Sequence, residues 1–254
     1  KGVIACSAGN HAQGVALAAT KNGIKSLICL PDSAPISKVE ATKGFGAEVC
    51  LVEGCYDDAY QKALELKEKE GYTFVHPFDD ENVIAGQGTI ALEILNDLDN
   101  IDAIVVPVGG GGLISGIAYT AKHIRPSIKI YGVQAAGAPS MHNSVQKGEI
   151  ACLPSVSTIA DGIAVKKPGE NTYALVNEYV DEIALVSDDE IASAILALIE
   201  KQKMIAEGAG AAAVAAVMET GGCRCFRRKH RCDQSVPGDR PGLDQFRPFL
   251  QPSY

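Results

Sequence analysis

One stretch limits the folds open to this chain more than any other: Val105-Val-Pro-Val-Gly-Gly-Gly-Gly-Leu-Ile-Ser-Gly116. The apolar run at 103–108 passes directly into four glycines, and residues 113–124 then read as a helix. An apolar run without polar alternation is the pattern of a parallel strand covered on both faces. A strand that enters a helix through a glycine turn opens a βα unit, so an α/β layer is expected. Four glycines let the main chain curl until successive N–H groups converge. The helix N-terminus behind them adds a partial positive charge, which together makes a seat for a phosphate dianion. A plain strand-to-helix turn needs fewer glycines. The G-x-G-x-x-G spacing of dinucleotide sites is absent, because its third position falls on Ile114 or Ser115, and no P-loop Lys-Ser/Thr pair follows. A mononucleotide-like phosphate, not NAD or ATP, is the expected ligand.

The same alternation runs through the rest of the chain. Residues 3–6, 26–30, 47–52 and 72–75 read as strands, with helices at 9–21, 36–45 and 56–70. Ala12, Val15, Ala16, Ala18 and Ala19 give the first helix a small-residue face that packs closely on a sheet. Gly23 stops it just beyond the cap. A small α/β domain is expected over residues 1–77, and part of a larger one over 78–218. The second region reads as a helix at 81–95 interrupted by Gly86-Gln87-Gly88, where close backbone approach is expected. It continues with strands at 103–108, 129–134 and 182–186, and with helices at 113–124, 138–147 and 173–179. Ser187, with Glu190 three residues on, forms a capping box for a helix whose apolar face is Ile191, Ile195, Leu198 and Ile199. Glu207-Gly208-Ala209-Gly210 precedes an Ala-rich helix reaching Met218.

Composition matters chiefly for what it excludes. The chain has 254 residues, 46% hydrophobic and 21% charged, as ordinary globular proteins do. A net charge of −8 weighs against a nucleic-acid partner. No apolar run nears the ~20 residues that span a bilayer, and no signal peptide opens the chain, so a cytoplasmic protein without a membrane partner is expected. Cys6, Cys29, Cys50, Cys55 and Cys152 lie mostly among apolar neighbours and read as buried, reduced thiols. Residues 219–254 turn basic and rich in Cys and Pro, without apolar periodicity, and are expected to be non-native or disordered. Cys223, Cys225, His230 and Cys232 could supply four metal ligands, but C-x-C-x₄-H-x-C is not a usual zinc spacing, and no metal site is expected.

A second polar turn, Ser7-Ala-Gly-Asn-His-Ala-Gln-Gly14, lies between the first strand and the Ala-rich helix. Small residues at Ser7, Ala8 and Gly9 allow a ligand close to the backbone. Free helix N–H groups and the side chains of Asn10 and His11 offer donors to a carboxylate or phosphate. Taken alone, His11 reads more readily as a core histidine; within this motif it reads as a ligand-binding residue. With about 100 residues between them, this asparagine loop and the glycine tetrad together resemble the fold-type II pyridoxal-phosphate enzymes, most closely the threonine/serine dehydratase group. The resemblance continues through His76-Pro77, Ala85-Gly-Gln-Gly-Thr89, Ala160-Asp-Gly162 and Glu207-Gly-Ala-Gly210, and covers residues 1–218.

The resemblance implies two parallel-sheet α/β domains with pyridoxal 5′-phosphate between them, and roles for particular residues. Ser7, Ala8, Gly9, Asn10 and His11 would hold the substrate carboxylate, with Asn10 also bonded to the cofactor's 3′-oxygen. Gly109, Gly110, Gly111 and Gly112, with Leu113, would bind its phosphate. Gly162 would line the substrate side of the ring, and Glu207 would lie near the pyridine. The implied reaction is loss of water and ammonia from L-threonine, giving 2-oxobutanoate, or from L-serine, giving pyruvate. The partner is then a small amino acid, and the intact enzyme a homo-oligomer. Serine racemases carry a second serine where Ala8 stands, and Ala8 has no proton to exchange, so elimination is favoured over racemisation; another β-eliminating lyase is the neighbouring alternative. Some relatives bind a divalent cation through an acidic residue where Gln134 stands, which again argues against a metal.

Two departures from the pattern set further expectations. The family's Schiff-base lysine lies on an earlier helix, well upstream of the asparagine loop, whereas Lys1 is on the strand leading into Ser7. No catalytic lysine is therefore expected in this chain. The family's Ser-Gly-Gly-Asn turn, due after Met218, is replaced by the basic tail. A dehydratase lacking both ends is expected, with a non-catalytic remnant that binds the cofactor or an amino acid as the alternative of another class. No regulatory domain is visible after residue 218, which favours the short catabolic form over the biosynthetic one.

Overall fold

The computed structural model describes residues 1–219. The tail, with Cys223, Cys225, His230 and Cys232, lies outside the described residues apart from Glu219. The chain divides into two compact units, the first Lys1–Gly86 and the second starting at Gln87.

The first unit runs β1 (Val3–Cys6), α1 (Asn10–Lys21), β2 (Ser26–Pro31), α2 (Ile36–Gly44), β3 (Glu48–Val52), α3 (Tyr56–Glu70) and β4 (Thr73–Phe74). Its sheet is entirely parallel, in the order β3-β2-β1-β4. The two-residue period of the strands divides their side chains between the faces. Ala5, Ile28 and Leu30 pack with Ala12 and Ala16 of α1 and Val39 of α2, while Ile4, Cys6 and Cys29 pack with Ala59 and Ala63 of α3. Alanine at those helix positions brings the helices close to the sheet. At the end of α1 the N–H of Gly23 donates to Thr20 and that of Ile24 to Ala19, the paired Schellman closure expected of a glycine just past the cap. The thiols divide by position. Cys6 and Cys29 are buried, and burial pushes both up to about 12, so they are protonated hydrophobes. Cys55 and Cys152 are exposed, against the expectation that the five would be buried together. The reason for Cys55 is its place in the loop that caps α3, where its N–H donates to Asp58.

α4 (Glu81–Asp97) contains the boundary between the units. It is continuous through Gly86-Gln87-Gly88, where an interruption was expected. The close approach is nevertheless there. A β-carbon on Gly88 would lie 2.5 Å from Thr120 Oγ1 and 3.2 Å from the Gly116 carbonyl oxygen, so the glycine lets α4 lie against the next helix of the second unit.

That unit holds β5 (Ala103–Pro107), α5 (Gly112–Ile124), β6 (Lys129–Ala135), α6 (Ser140–Lys147), α7 (Glu170–Tyr179), β7 (Glu182–Val186), α8 (Asp188–Ala197) and α9 (Gly208–Glu219). Its sheet is also parallel, in the order β5-β6-β7. Ile104, Val106 and Ile130 pack with α5 and α7 in one cluster; Val133, Ala135 and Val186 pack with α8 and the alanines of α9 in another. Asp181 ties the strand ends together, accepting from Lys122 Nζ (2.7 Å), Lys129 Nζ (2.7 Å) and the Ile130 N–H (2.9 Å). The capping box forms at Ser187 and Glu190 as read from the sequence. Beyond α8 the backbone widens into a π turn at Leu198–Gln202, ended by Lys203 at φ 57°. The wider turn carries Ile199 off the apolar face and leaves it exposed, whereas Ile195 and Leu198 stay packed on the core.

Candidate active site

Two strand-to-helix turns carry the residues singled out by the sequence, one in each unit. In the first unit β1 ends at Cys6 and the chain turns through Ser7, Ala8 and Gly9 into α1. Ser7 Oγ accepts the Gly9 N–H at 3.2 Å, a local bond that holds the turn while α1 starts without a side-chain cap. His11 points back to the sheet. Its Nε2–H donates to the Val75 carbonyl at 3.0 Å, because a carbonyl only accepts. Burial holds this imidazole below its ordinary value of 6.5, outweighing the opposite pull of the Val75 bond. His11 is therefore neutral, with Nδ1 left as an acceptor. His76 behaves alike: its Nδ1 accepts the N–H groups of Asp79 (2.8 Å) and Phe78 (3.3 Å), and burial again lowers it. Lys1 lies at the other end of β1, against Gly71, away from Ser7.

In the second unit β5 runs through Val108, whose N–H is still paired to Val133, into the four glycines. Gly110, Gly111 and Gly112 are buried. Gly111 has φ 102°, a left-handed conformation that side chains rarely adopt. It is also confined: a β-carbon there would stand 2.6 Å from Met141 Cε and 2.8 Å from Thr172 Cβ. The turn is held from behind by Thr172, fully buried on α7, whose hydroxyl donates to the Gly110 carbonyl at 2.7 Å and accepts the Gly169 N–H at 3.1 Å. Among the described residues, no acceptor takes the backbone N–H groups of residues 109–114. A buried run of unclaimed donors at the mouth of a thirteen-residue helix fits a phosphate dianion, in charge and in hydrogen-bonding sense.

Other residues named from the sequence converge on this turn. A β-carbon on Gly109 would lie 3.1 Å from Ile163 Cα and 3.5 Å from the Gly162 carbonyl oxygen. One on Gly162 would lie 3.6 Å from Glu207 Oε1. The tetrad, Gly162 and Glu207 thus form one neighbourhood, although about 100 residues of sequence separate the first from the last. The segment bearing Gly162 is fixed by Asp188 at the start of α8, which accepts from the Thr158 hydroxyl and from the Ile159 N–H; Thr158 Oγ1 in turn accepts the Ala160 N–H. Thr172, Met141 and Asp188 escape a reading of motifs because each acts across a long sequence interval. The one local signal was Thr172 as third residue of a helix preceded by Gly169. Gln134 is fully buried, and its Oε1 accepts the His142 N–H at 2.7 Å, so the amide is used to cap α6. Among the described residues, no cluster of His, Cys, Asp or Glu is arranged to hold a metal, and no helix is long and apolar enough to cross a membrane.

Parallel α/β units and a glycine turn with unclaimed backbone donors define a class, and comparison with known proteins gives it a name: the pattern of the pyridoxal-phosphate dependent enzymes matches residues 1–231, and the chain belongs to that family. Within it, the chain is 54% identical over 218 residues to the L-threonine ammonia-lyase of Thermotoga maritima, covering 86% of this chain and 54% of that protein. It is 50% identical to the catabolic L-threonine dehydratase TdcB of Escherichia coli K12, covering 86% of this chain and 66% of TdcB. Among solved structures, the processed form of threonine deaminase isoform 2 from Solanum lycopersicum superposes with a TM-score of 0.83 at 45% identity, over 85% of this chain and 63% of that one. Maize serine racemase also superposes at 0.83, with 39% identity over 85% of this chain and 66% of that one. The chain spans about half the length of the first curated relatives it matches.

Proposed function

We propose that residues 1–218 are the corresponding part of an L-threonine ammonia-lyase, which converts L-threonine to 2-oxobutanoate and ammonia and takes L-serine as a second substrate. The observation that carries this reading is the set of unclaimed N–H groups at residues 109–114, in a chain half identical to proteins named for that reaction. Gly109, Gly110, Gly111, Gly112 and Leu113 hold the cofactor phosphate through their backbone. When bound, pyridoxal phosphate supplies the electron sink that makes the α-carbon of an amino acid acidic. Asn10 offers its side-chain amide to the cofactor's 3′-oxygen. Ser7, Ala8, Gly9 and His11 offer donors and space to the substrate carboxylate, Gly162 leaves room beside the ring, and Glu207 places a carboxylate near it. Half-buried and held toward its neutral form by desolvation, His11 orients the 7–11 turn through Val75. The methyl group of Ala8 carries no transferable proton, which favours elimination over racemisation.

Lys1 lies at the far end of β1 from Ser7, which supports the reading that it is not the lysine that carries the cofactor. Two assays test the whole. The 254-residue chain is expected to retain pyridoxal phosphate in equilibrium dialysis and to release no 2-oxobutanoate from L-threonine. A chimera that joins residues 1–218 to the flanking segments of the Thermotoga relative is expected to release it. A chimera that folds and binds the cofactor yet produces no 2-oxobutanoate overturns the assigned reaction.

A further inference from the structure

We propose that Thr172 is the positioning residue of the phosphate seat: its hydroxyl fixes the direction in which the tetrad presents its N–H groups. The inference rests on the phosphate-binding reading of residues 109–113 given above. Its basis is the geometry of one peptide unit. The peptide between Gly110 and Gly111 is trans, as are all those described. In a trans peptide the carbonyl of one residue and the N–H of the next point in opposite directions. Whatever holds the Gly110 carbonyl to one side therefore aims the Gly111 N–H to the other.

Thr172 is that hold. Its Oγ1 lies 2.7 Å from the Gly110 carbonyl oxygen and 3.1 Å from the Gly169 nitrogen. A hydroxyl has one proton to give. The shorter distance to Gly110 than to the Gly169 carbonyl (3.3 Å) assigns that proton to Gly110, while the Gly169 N–H supplies the bond the oxygen receives. The side chain is fully buried, so water does not substitute for it. Glycine is the residue type least able to fix its own backbone orientation. Four in succession leave this turn free to rotate its peptides unless a neighbour prevents it. Thr172 does so from α7, about 60 residues later in sequence, and Met141 Cε closes the remaining space behind Gly111. The Ser115 hydroxyl, 3.4 Å from the Thr172 carbonyl, joins α5 to the same helix.

The test separates positioning from folding. The full 254-residue chain and its Thr172→Val and Thr172→Ser variants are dialysed against 4-deoxypyridoxine 5′-phosphate and against 4-deoxypyridoxine. Neither probe has the aldehyde that condenses with surface lysines, and only the first carries a phosphate. Valine keeps the shape of threonine and removes the donor; serine keeps the donor. Thr172→Val is expected to weaken the phosphorylated probe about tenfold, the size of one lost hydrogen bond serving a charged ligand, and to leave the other unchanged. Thr172→Ser is expected to bind both as the parent does. Equal affinity of Thr172→Val and parent for the phosphorylated probe overturns the proposal. So does a matching loss for both probes together with a lower melting temperature, since the hydroxyl then serves the fold and not the seat. If the parent does not prefer the phosphorylated probe, the phosphate-seat reading itself falls, and Thr172 with it.

Discussion

The two strand-to-helix turns that carry the proposed site residues follow the same plan, a parallel strand running into a helix, yet they are made of different materials. The 7–11 turn presents side chains, a serine hydroxyl, an asparagine amide and an imidazole, and is held by the local Ser7–Gly9 bond and by His11 on Val75. The 109–112 turn has no side chains to offer and presents only main-chain N–H groups, held from outside by Thr172 and Met141. The contrast teaches where each is vulnerable. A turn that binds through side chains can change its chemistry residue by residue while its backbone stands. A turn that binds through backbone depends on what packs behind it, and at Gly111 an added side chain is an obstruction.

The largest expected effect follows from that asymmetry. Gly111→Ala faces both the positive φ and the contacts with Met141 and Thr172, and should cost about 3 kcal/mol of stability in urea denaturation, with loss of phosphate-ligand binding. A stable, ligand-binding Gly111→Ala protein would remove the contrast altogether. Next comes Asp181→Ala, which strands Lys122, Lys129 and the Ile130 N–H and should cost about 2 kcal/mol. Hydrogen exchange should show the loss in the second unit's sheet and leave β1 and β2 protected.

Acidification should then act on the units in a fixed order. Burial holds the folded His11 and His76 below 6.5, so the unfolded chain takes up protons first as pH falls. Their contribution is complete above about 6.5 and is lost as pH drops through the lowered folded values. Burial alone would raise Asp181, but its bonds from Lys122, Lys129 and the Ile130 N–H outweigh that and lower it. Its contribution therefore persists above the ordinary carboxylate value and is lost only below it. Protection at Val75, corrected for the intrinsic slowing of exchange in acid, should fall as pH drops below about 6.5, and protection in β6 only below the ordinary carboxylate value; simultaneous loss would break the distinction. The smallest effect belongs to Ser7→Ala, about 0.5–1 kcal/mol for the one bond to Gly9, read as a small shift in the denaturation midpoint.

Much of the architecture was legible in the sequence because its elements are punctuated. Gly23 stops the first helix just beyond its cap, and Ser187 with Glu190 marks a helix start in four letters. Gly86-Gln87-Gly88 misled, since helix propensity disfavours glycine while packing against Gly116 and Thr120 rewards its lack of a side chain. The π turn after α8 left no mark, because nothing in Leu198–Gln202 distinguishes a wide turn from an ordinary one. Within the candidate site, glycines and the asparagine loop announce themselves by type. Thr172, Met141 and Asp188 are ordinary residues made important by what lies against them, and no local spacing encodes that. Nor could spacing tell that His11 would spend its Nε2 proton on Val75.

The order β3-β2-β1-β4 in the first unit bears on how the protein is made. β1 lies inside its sheet, but one of its two neighbours, β4, is about 70 residues further along the chain. The β1–β2–β3 ladder can assemble as soon as residues 3–52 have emerged during synthesis, with helix α1 already docked. Until β4 arrives, residues 1–72 supply no partner for the edge of β1 that β4 covers, with Ile4 and Cys6 still awaiting their helix. Closing that edge requires the longest loop in the unit and also delivers the Val75 carbonyl to His11. The 7–11 turn thus acquires its anchored histidine in the same step that joins β4 to the nascent sheet, so the edge that it closes is exposed to wrong pairing only before that step.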